Sequence, residues 1–362
     1  MVFLNSSLYF LGLLLLDIVC HPFSIFYLSF ILSHLSTFLV YIQDIYKATR
    51  KAARFKECIH PDKCNCSEKI IGAHSIQNNK ILSKIADNGM LYMPCPKPDL
   101  SFTLKNKYGR KEATVFSGFC GYHDKTTFQP IEDKDFIATE EQIFLYVYRA
   151  FAVEYHKKQE AVRMHQIMLS NKPSAVEMPC MTIDGKTGFD MAVADFEEEK
   201  KIFDKALMEK RYDVLTSIVW EFNVFSNFAA TAGETPMYDF DGKQIQDLLN
   251  PSVPARHVYT CVFPENGKTY VIIAWLKEYD GLFLPMKKKL ETLTEDEEKN
   301  YINNTIAITT ENVVIKPSAW DAMPETAKQA FTVLFLGMAD MLALDGKPYN
   351  RFEKPSFDLF SI

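Results

Sequence analysis

The hydrophobic pattern divides the chain near residue 43. Between Met1 and Gln43 the only charged side chain is Asp17. Leu8–Cys20 is apolar but short. After the His21-Pro22 break, Phe23–Ile42 runs uncharged for the length of one membrane crossing. Its twelve Phe, Leu, Ile and Val residues each favour insertion by roughly 0.3–0.6 kcal/mol, offset in part by Ser24, Ser29, Ser33, His34, Ser36 and Thr37. Lys47, Arg50, Lys51, Arg54 and Lys56 follow directly, and the positive-inside rule keeps such a cluster cytoplasmic. The pattern therefore predicts membrane association through residues 8–42, with everything downstream on the cytoplasmic face of the cell membrane. A cleaved signal peptide does not fit, because no basic n-region and no small-residue cleavage pattern precede the second apolar run. Two other readings stand beside the anchor. One is a buried helical cap. The other is upstream sequence from a misassigned start, which leaves a soluble cytoplasmic protein.

Downstream the periods change. After a basic linker at 44–57, residues 58–124 are rich in Cys, His, Asn, Gly and Pro and read as short irregular elements. Ile81, Leu82 and Ile85 share one helical face, and Pro94, Pro96 and Pro98 mark an extended loop. Thr139 with Gln142 opens a helix on capping-box spacing. It carries Phe144, Val147, Tyr148, Phe151 and Tyr155 as an apolar stripe and ends near Asn171-Lys172-Pro173. His156 and His165, on or beyond that stripe, read as surface residues. Ala192–Lys210 is a second amphipathic helix, with Glu197–Lys201 as its solvated face. β-formers fill Val219–Ala229, Arg256–Pro264 and Lys268–Trp275, and Glu265-Asn266-Gly267 is a strong hairpin signal between the last two. Helices are expected again at Thr294–Asn303 and Pro324–Leu344, with Trp220, Trp275 and Trp320 in the core. The fold class is α+β: a small Cys- and His-rich module at 58–137, then a mixed helix and antiparallel-sheet domain at 138–362.

Composition narrows the function classes. Hydrophobic content of 48% and aromatic content of 13% exclude a chain disordered throughout. A net charge of −6 gives no global case for a nucleic-acid partner, so any phosphate contact must be local. The eight cysteines are uneven. Cys58, Cys64 and Cys66 crowd together and Cys120 has His123 beside it, whereas Cys20, Cys95, Cys180 and Cys261 stand alone. In a long chain such clustering points to metal rather than to a disulfide framework.

Zinc takes four thiolate or imidazole ligands in a tetrahedron, commonly as two short pairs. Cys120 and His123 have the spacing of one pair. The other is drawn from Cys58, Cys64 and Cys66 and leaves one cysteine spare. Cys58 with Cys66 is the favoured choice, since Cys66 lies just before Ile70-Ile71; Cys64 is the alternative and His60 a further candidate. The ion is read as structural.

His74 ends the apolar Ile70-Ile71 run, in Gly72-Ala73-His74-Ser75-Ile76, and Gly118-Phe119-Cys120-Gly121-Tyr122-His123-Asp124 follows later. This arrangement resembles the HNH-type ββα-metal nucleases, which are treble-clef folds. The resemblance implies a structural zinc, His74 as the general base that activates water, and a divalent cation at the position of Asp124. It covers only about residues 58–124. His123 replaces that family's second closing cysteine and Asp124 its metal-binding histidine, a carboxylate suited to Mg²⁺ or Mn²⁺. Asn78 and Asn79 lie too close to His74 for the family's middle asparagine. The segment also resembles a group of uncharacterised bacterial proteins with Ala-His-Ser-Ile and Gly-Phe-Cys-x-x-His-Asp motifs, which brings no activity with it. The expected functions are a metal-dependent nuclease acting on nucleic acid, with His74 and Asp124 catalytic, or a non-catalytic zinc-stabilised adaptor binding nucleic acid or protein.

Overall fold

The computed structural model describes residues 48–94, 107–170, 182–183, 186–248, 250, 252–310, 312–335 and 348–362. The hydrophobic segment 8–42, Pro96, Pro98, Cys20, Cys95, Cys180 and the end of the expected 324–344 helix lie outside these residues. No helix among the described residues is long and apolar enough to cross a membrane.

The architecture is mixed α/β with antiparallel sheets. In chain order the strands are β1 (Ile70–His74), β2 (Met90–Tyr92), β3 (Lys107–Gly109) and β4 (Val115–Cys120). Helices α1 (Gly121–Glu132) and α2 (Glu140–Ser170) follow, then the small ribbon β5 (Thr182–Ile183) with β6 (Lys186–Thr187), and α3 (Gly188–Glu209). Next come β7 (Leu215–Phe222), β8 (Phe228–Glu234), β9 (Val258–Glu265), β10 (Lys268–Leu276), α4 (Asp280–Leu290) and α5 (Glu295–Thr309). The described chain then adds β11 (Asn312–Ile315), α6 (Pro317–Ala322) and α7 (Glu325–Val333).

Among the described residues seven strands form one sheet in the order β3-β2-β11-β8-β9-β10-β7, and β1 pairs separately with β4. The β9–β10 turn follows from its sequence. Asn266 and Gly267 both take positive φ, 51° and 81°, which an Asn-Gly pair tolerates and a tight hairpin turn needs. All eight positions of β9 are buried, because helices cover both faces of the sheet. Tyr146 of α2 stacks on Phe263 at 4.2 Å on one face, and Tyr301 of α5 meets Trp220 edge-on at 6.1 Å on the other. Thr139 starts α2, its hydroxyl accepting from the Gln142 amide at 3.2 Å.

Three expectations need correction. The run Val219–Ala229 is two strands, β7 and β8, separated by a turn that contains neither Gly nor Pro. His156 and His165 are buried, not surface residues: His156 donates Nε2–H to the Phe55 carbonyl at 2.8 Å and His165 packs on Phe189. Glu199 is no part of a solvated face. It is wholly buried and accepts from the His257 amide at 3.2 Å, from His257 Nδ1 at 3.0 Å and from the Tyr259 hydroxyl.

The β1–β4 pair is joined to the large sheet in two ways. Strands β2 and β3, which the chain makes between β1 and β4, form the sheet's outer edge beside β11. Asn312 of β11 donates from its buried amide to the Ser75 hydroxyl at 2.8 Å and to the Thr231 hydroxyl. The residue after His74 is thereby fixed to the sheet.

Candidate metal centre

Strand pairing brings the donors together. In the β1–β4 register Ile70 faces Cys120 and His74 faces Val115. Cys120 ends β4 and is also the N-cap of α1, so His123 sits one helical turn away. On the other side, the Ile59 amide bonds the Gly118 carbonyl at 2.7 Å and delivers Cys58 to the end of β4. Only glycine fits at 118, because a Cβ there would run into the Phe116 ring and meet Ile59 Cδ1 at 3.0 Å. The chain then turns at Lys63–Cys66, where the Cys66 amide bonds the Lys63 carbonyl at 3.4 Å. Asn65 closes an Asx-type turn on the Asp62 carboxylate, and Cys66 is turned inward.

Cys58, Cys66, Cys120 and His123 form a group that can hold a metal ion, with donor atoms all within 4.8 Å of one another. His123 Nδ1 lies 3.5, 3.6 and 3.3 Å from the Sγ atoms of Cys58, Cys66 and Cys120. A tetrahedral ion with ordinary zinc–sulfur and zinc–nitrogen bonds sets each such edge at about 3.6 Å. The donor set therefore fits a zinc-sized ion bound through Nδ1. Nε2, which then carries the ring proton, is buried and has no partner among the described residues. Cys64 is exposed and outside the group. His60 is outside it too: its ring stacks on His123 at 3.8 Å, and its Nδ1 accepts from the Asp62 amide at 3.1 Å.

The electrostatics differ among the sulfurs. Burial pushes the Cys58 thiol up to about 12 and raises Cys66 as well. Burial also opposes ionisation of Cys120, but the His123 amide and the Ser67 hydroxyl and amide outweigh it and bring that thiol down to about 7. Cys120 is the sulfur most ready to bind as thiolate, and an ion must displace the protons of the other two. Burial lowers His123, which keeps the imidazole neutral as a ligand must be.

His74 is half-buried at the end of β1, with Nδ1 3.0 Å from the Ala113 carbonyl. A carbonyl only accepts, so Nδ1 carries the proton and Nε2 keeps its lone pair. Burial lowers its pKa, which favours the neutral ring. Asp124, in the first turn of α1, has a buried Oδ1 without partner among the described residues, and burial raises its carboxyl. The charges of Arg149 and Glu132 act on both His74 and Asp124. Arg149 is itself buried, 2.6 Å from Glu132 and 3.9 Å over the Phe128 ring. Its one mark in the sequence is a lone arginine between Tyr148 and Ala150, outside the apolar stripe of α2. Ser67, which tunes Cys120, had no signal at all. Comparison with family models, curated proteins and solved structures finds no match for this chain.

Proposed function

We propose that this is a zinc-binding protein in which residues 58–124 form an HNH-like, treble-clef module and act as a metal-dependent nuclease. The zinc, held by Cys58, Cys66, Cys120 and His123, is structural: it supplies cross-linking of the knuckle to the start of α1 and leaves no open position for substrate. The tautomer of His74 carries the catalytic reading. With Nδ1–H engaged at Ala113, Nε2 is free to take a proton from water at neutral pH. Asp124 would hold Mg²⁺ or Mn²⁺, which supplies positive charge to the developing phosphorane. The nucleic-acid backbone would run past His74, with exposed Lys69 five residues before it and exposed Lys111 two residues before its partner Ala113.

The second reading is a non-catalytic zinc-stabilised adaptor. It is favoured by the Asp124 carboxyl, whose burial raises its pKa and so opposes the ionised form a hard cation needs. Residues 8–42 are proposed to tether either protein to the cytoplasmic face of the membrane. The deciding assay measures cleavage of single-stranded DNA, duplex DNA and RNA with Mg²⁺ or Mn²⁺, for wild type and His74→Ala. Cleavage lost in the variant at unchanged zinc content supports the nuclease. Absence of cleavage by wild-type protein on all three substrates leaves the adaptor.

A further inference from the structure

Four cysteines lie between residues 58 and 120 among the described residues, and three of them belong to the metal group. We propose that the fourth, Cys64, is a thiol modification site: under a peroxide it forms a disulfide with Cys66 and so releases the ion. The inference rests on the metal reading of the group and is independent of the nuclease.

Two observations carry it. Cys58, Cys120 and His123 are buried, whereas Cys66 is half-exposed, so the group has one sulfur at its solvent edge. Cys64 is exposed and shares with Cys66 the turn closed by the Lys63 carbonyl. Turn residues two apart bring their Cα atoms within roughly the 4.4–6.8 Å that a disulfide spans. Closing the ring requires the Cys66 side chain to turn outward from the group toward Cys64, while Cys58, Cys120 and His123 stay buried.

The step balances. Cys66 Sγ and Cys64 Sγ form the S–S bond and each gives up one electron. The peroxide O–O bond takes both electrons. With the Cys64 thiol proton and one proton from solvent, it leaves as two waters. Attack through a sulfenic acid on Cys66, resolved by Cys64, gives the same products. Three donors remain, one too few for a closed structural site.

The test uses the full chain loaded with zinc. Hydrogen peroxide is added and released zinc is followed with a metallochromic chelator, while peptide mapping locates any disulfide. Wild type should release its ion together with a Cys64–Cys66 disulfide, and a dithiol should restore binding. Cys64→Ser, with equal zinc content before oxidation, should release it roughly tenfold more slowly, because the thiols that remain beside Cys66, Cys58 and Cys120, are buried and no exposed resolving thiol is left. Equal release rates, or a disulfide that maps elsewhere, overturn the proposal. A wild-type chain that binds no zinc overturns the metal reading together with it.

Discussion

His60 and His123 are neighbours of the same kind with different expected roles, and a pair of alanine substitutions separates them. Their rings stack in parallel at 3.8 Å, but only His123 puts a nitrogen within 3.3–3.6 Å of three sulfurs. If that nitrogen is a ligand, His123→Ala leaves three sulfurs and a much weaker site. With free zinc held at about a hundred times Kd, the ion stabilises the wild-type fold by about 2.7 kcal/mol, a shift of roughly 4 °C in a chain of this size. Differential scanning fluorimetry with and without a chelator reads this directly. Wild type should fall by that amount when chelator is added. His123→Ala should start low and not respond. His60→Ala loses a stacking contact worth about 1 kcal/mol, yet should keep its ion and its full chelator response. A His123→Ala protein that still carries one zinc per chain, or a wild type that ignores chelator, refutes the assignment.

Further outcomes follow from the same geometry. Because Cys58 and Cys66 keep their protons in the ion-free fold, log affinity for zinc should rise by about two per pH unit above pH 7, measured by competition with a chelator of known affinity. A slope below one contradicts the thiol assignments. In chelated protein the sign reverses: Cys58 ionises in the unfolded chain near 9.0 but stays protonated in the fold up to about 12, so stability should fall as pH rises through that window. Gly118→Ala should cost about 1–3 kcal/mol in urea unfolding, since its Cβ has nowhere to go beside Phe116 and Ile59. Gly188→Ala, with nothing within 4 Å, should stay within about 0.5 kcal/mol and serves as the control.

What the sequence disclosed depended on how local each signal is. The β9–β10 hairpin needs two residues that tolerate positive φ, and Asn266-Gly267 says so without help from the rest of the chain. The mixed helix and antiparallel-sheet class was legible for a similar reason, from periods of 3.6 and 2. Metal-ligating chemistry was legible because sulfur and imidazole are rare and were clustered. The break between β7 and β8 was not, since Asn223–Ser226 contains no residue that forbids a strand. Glu199 was misplaced because a charge is buried only when distant partners meet it, and His257 and Tyr259 are far away in sequence. Strands β2 and β3 are three residues each, too short to show a period, and β11, which pairs with β2, comes more than 200 residues later. His74 was singled out by its place after an apolar pair; the Ala113 carbonyl that sets its tautomer could only be found once β1 and β4 had paired.

The path of the chain between β1 and β4 has a thermodynamic consequence. An ion bridging Cys66 and Cys120 closes a loop that contains β1 and β4 as well as β2 and β3, the outer edge of the large sheet. For a loop of about 55 residues, such a cross-link removes roughly 4 kcal/mol of disorder from the unfolded chain, as a disulfide of that span would. A bound ion would thus staple a sheet edge it never touches, and melting that edge and losing the metal would be one cooperative event rather than two.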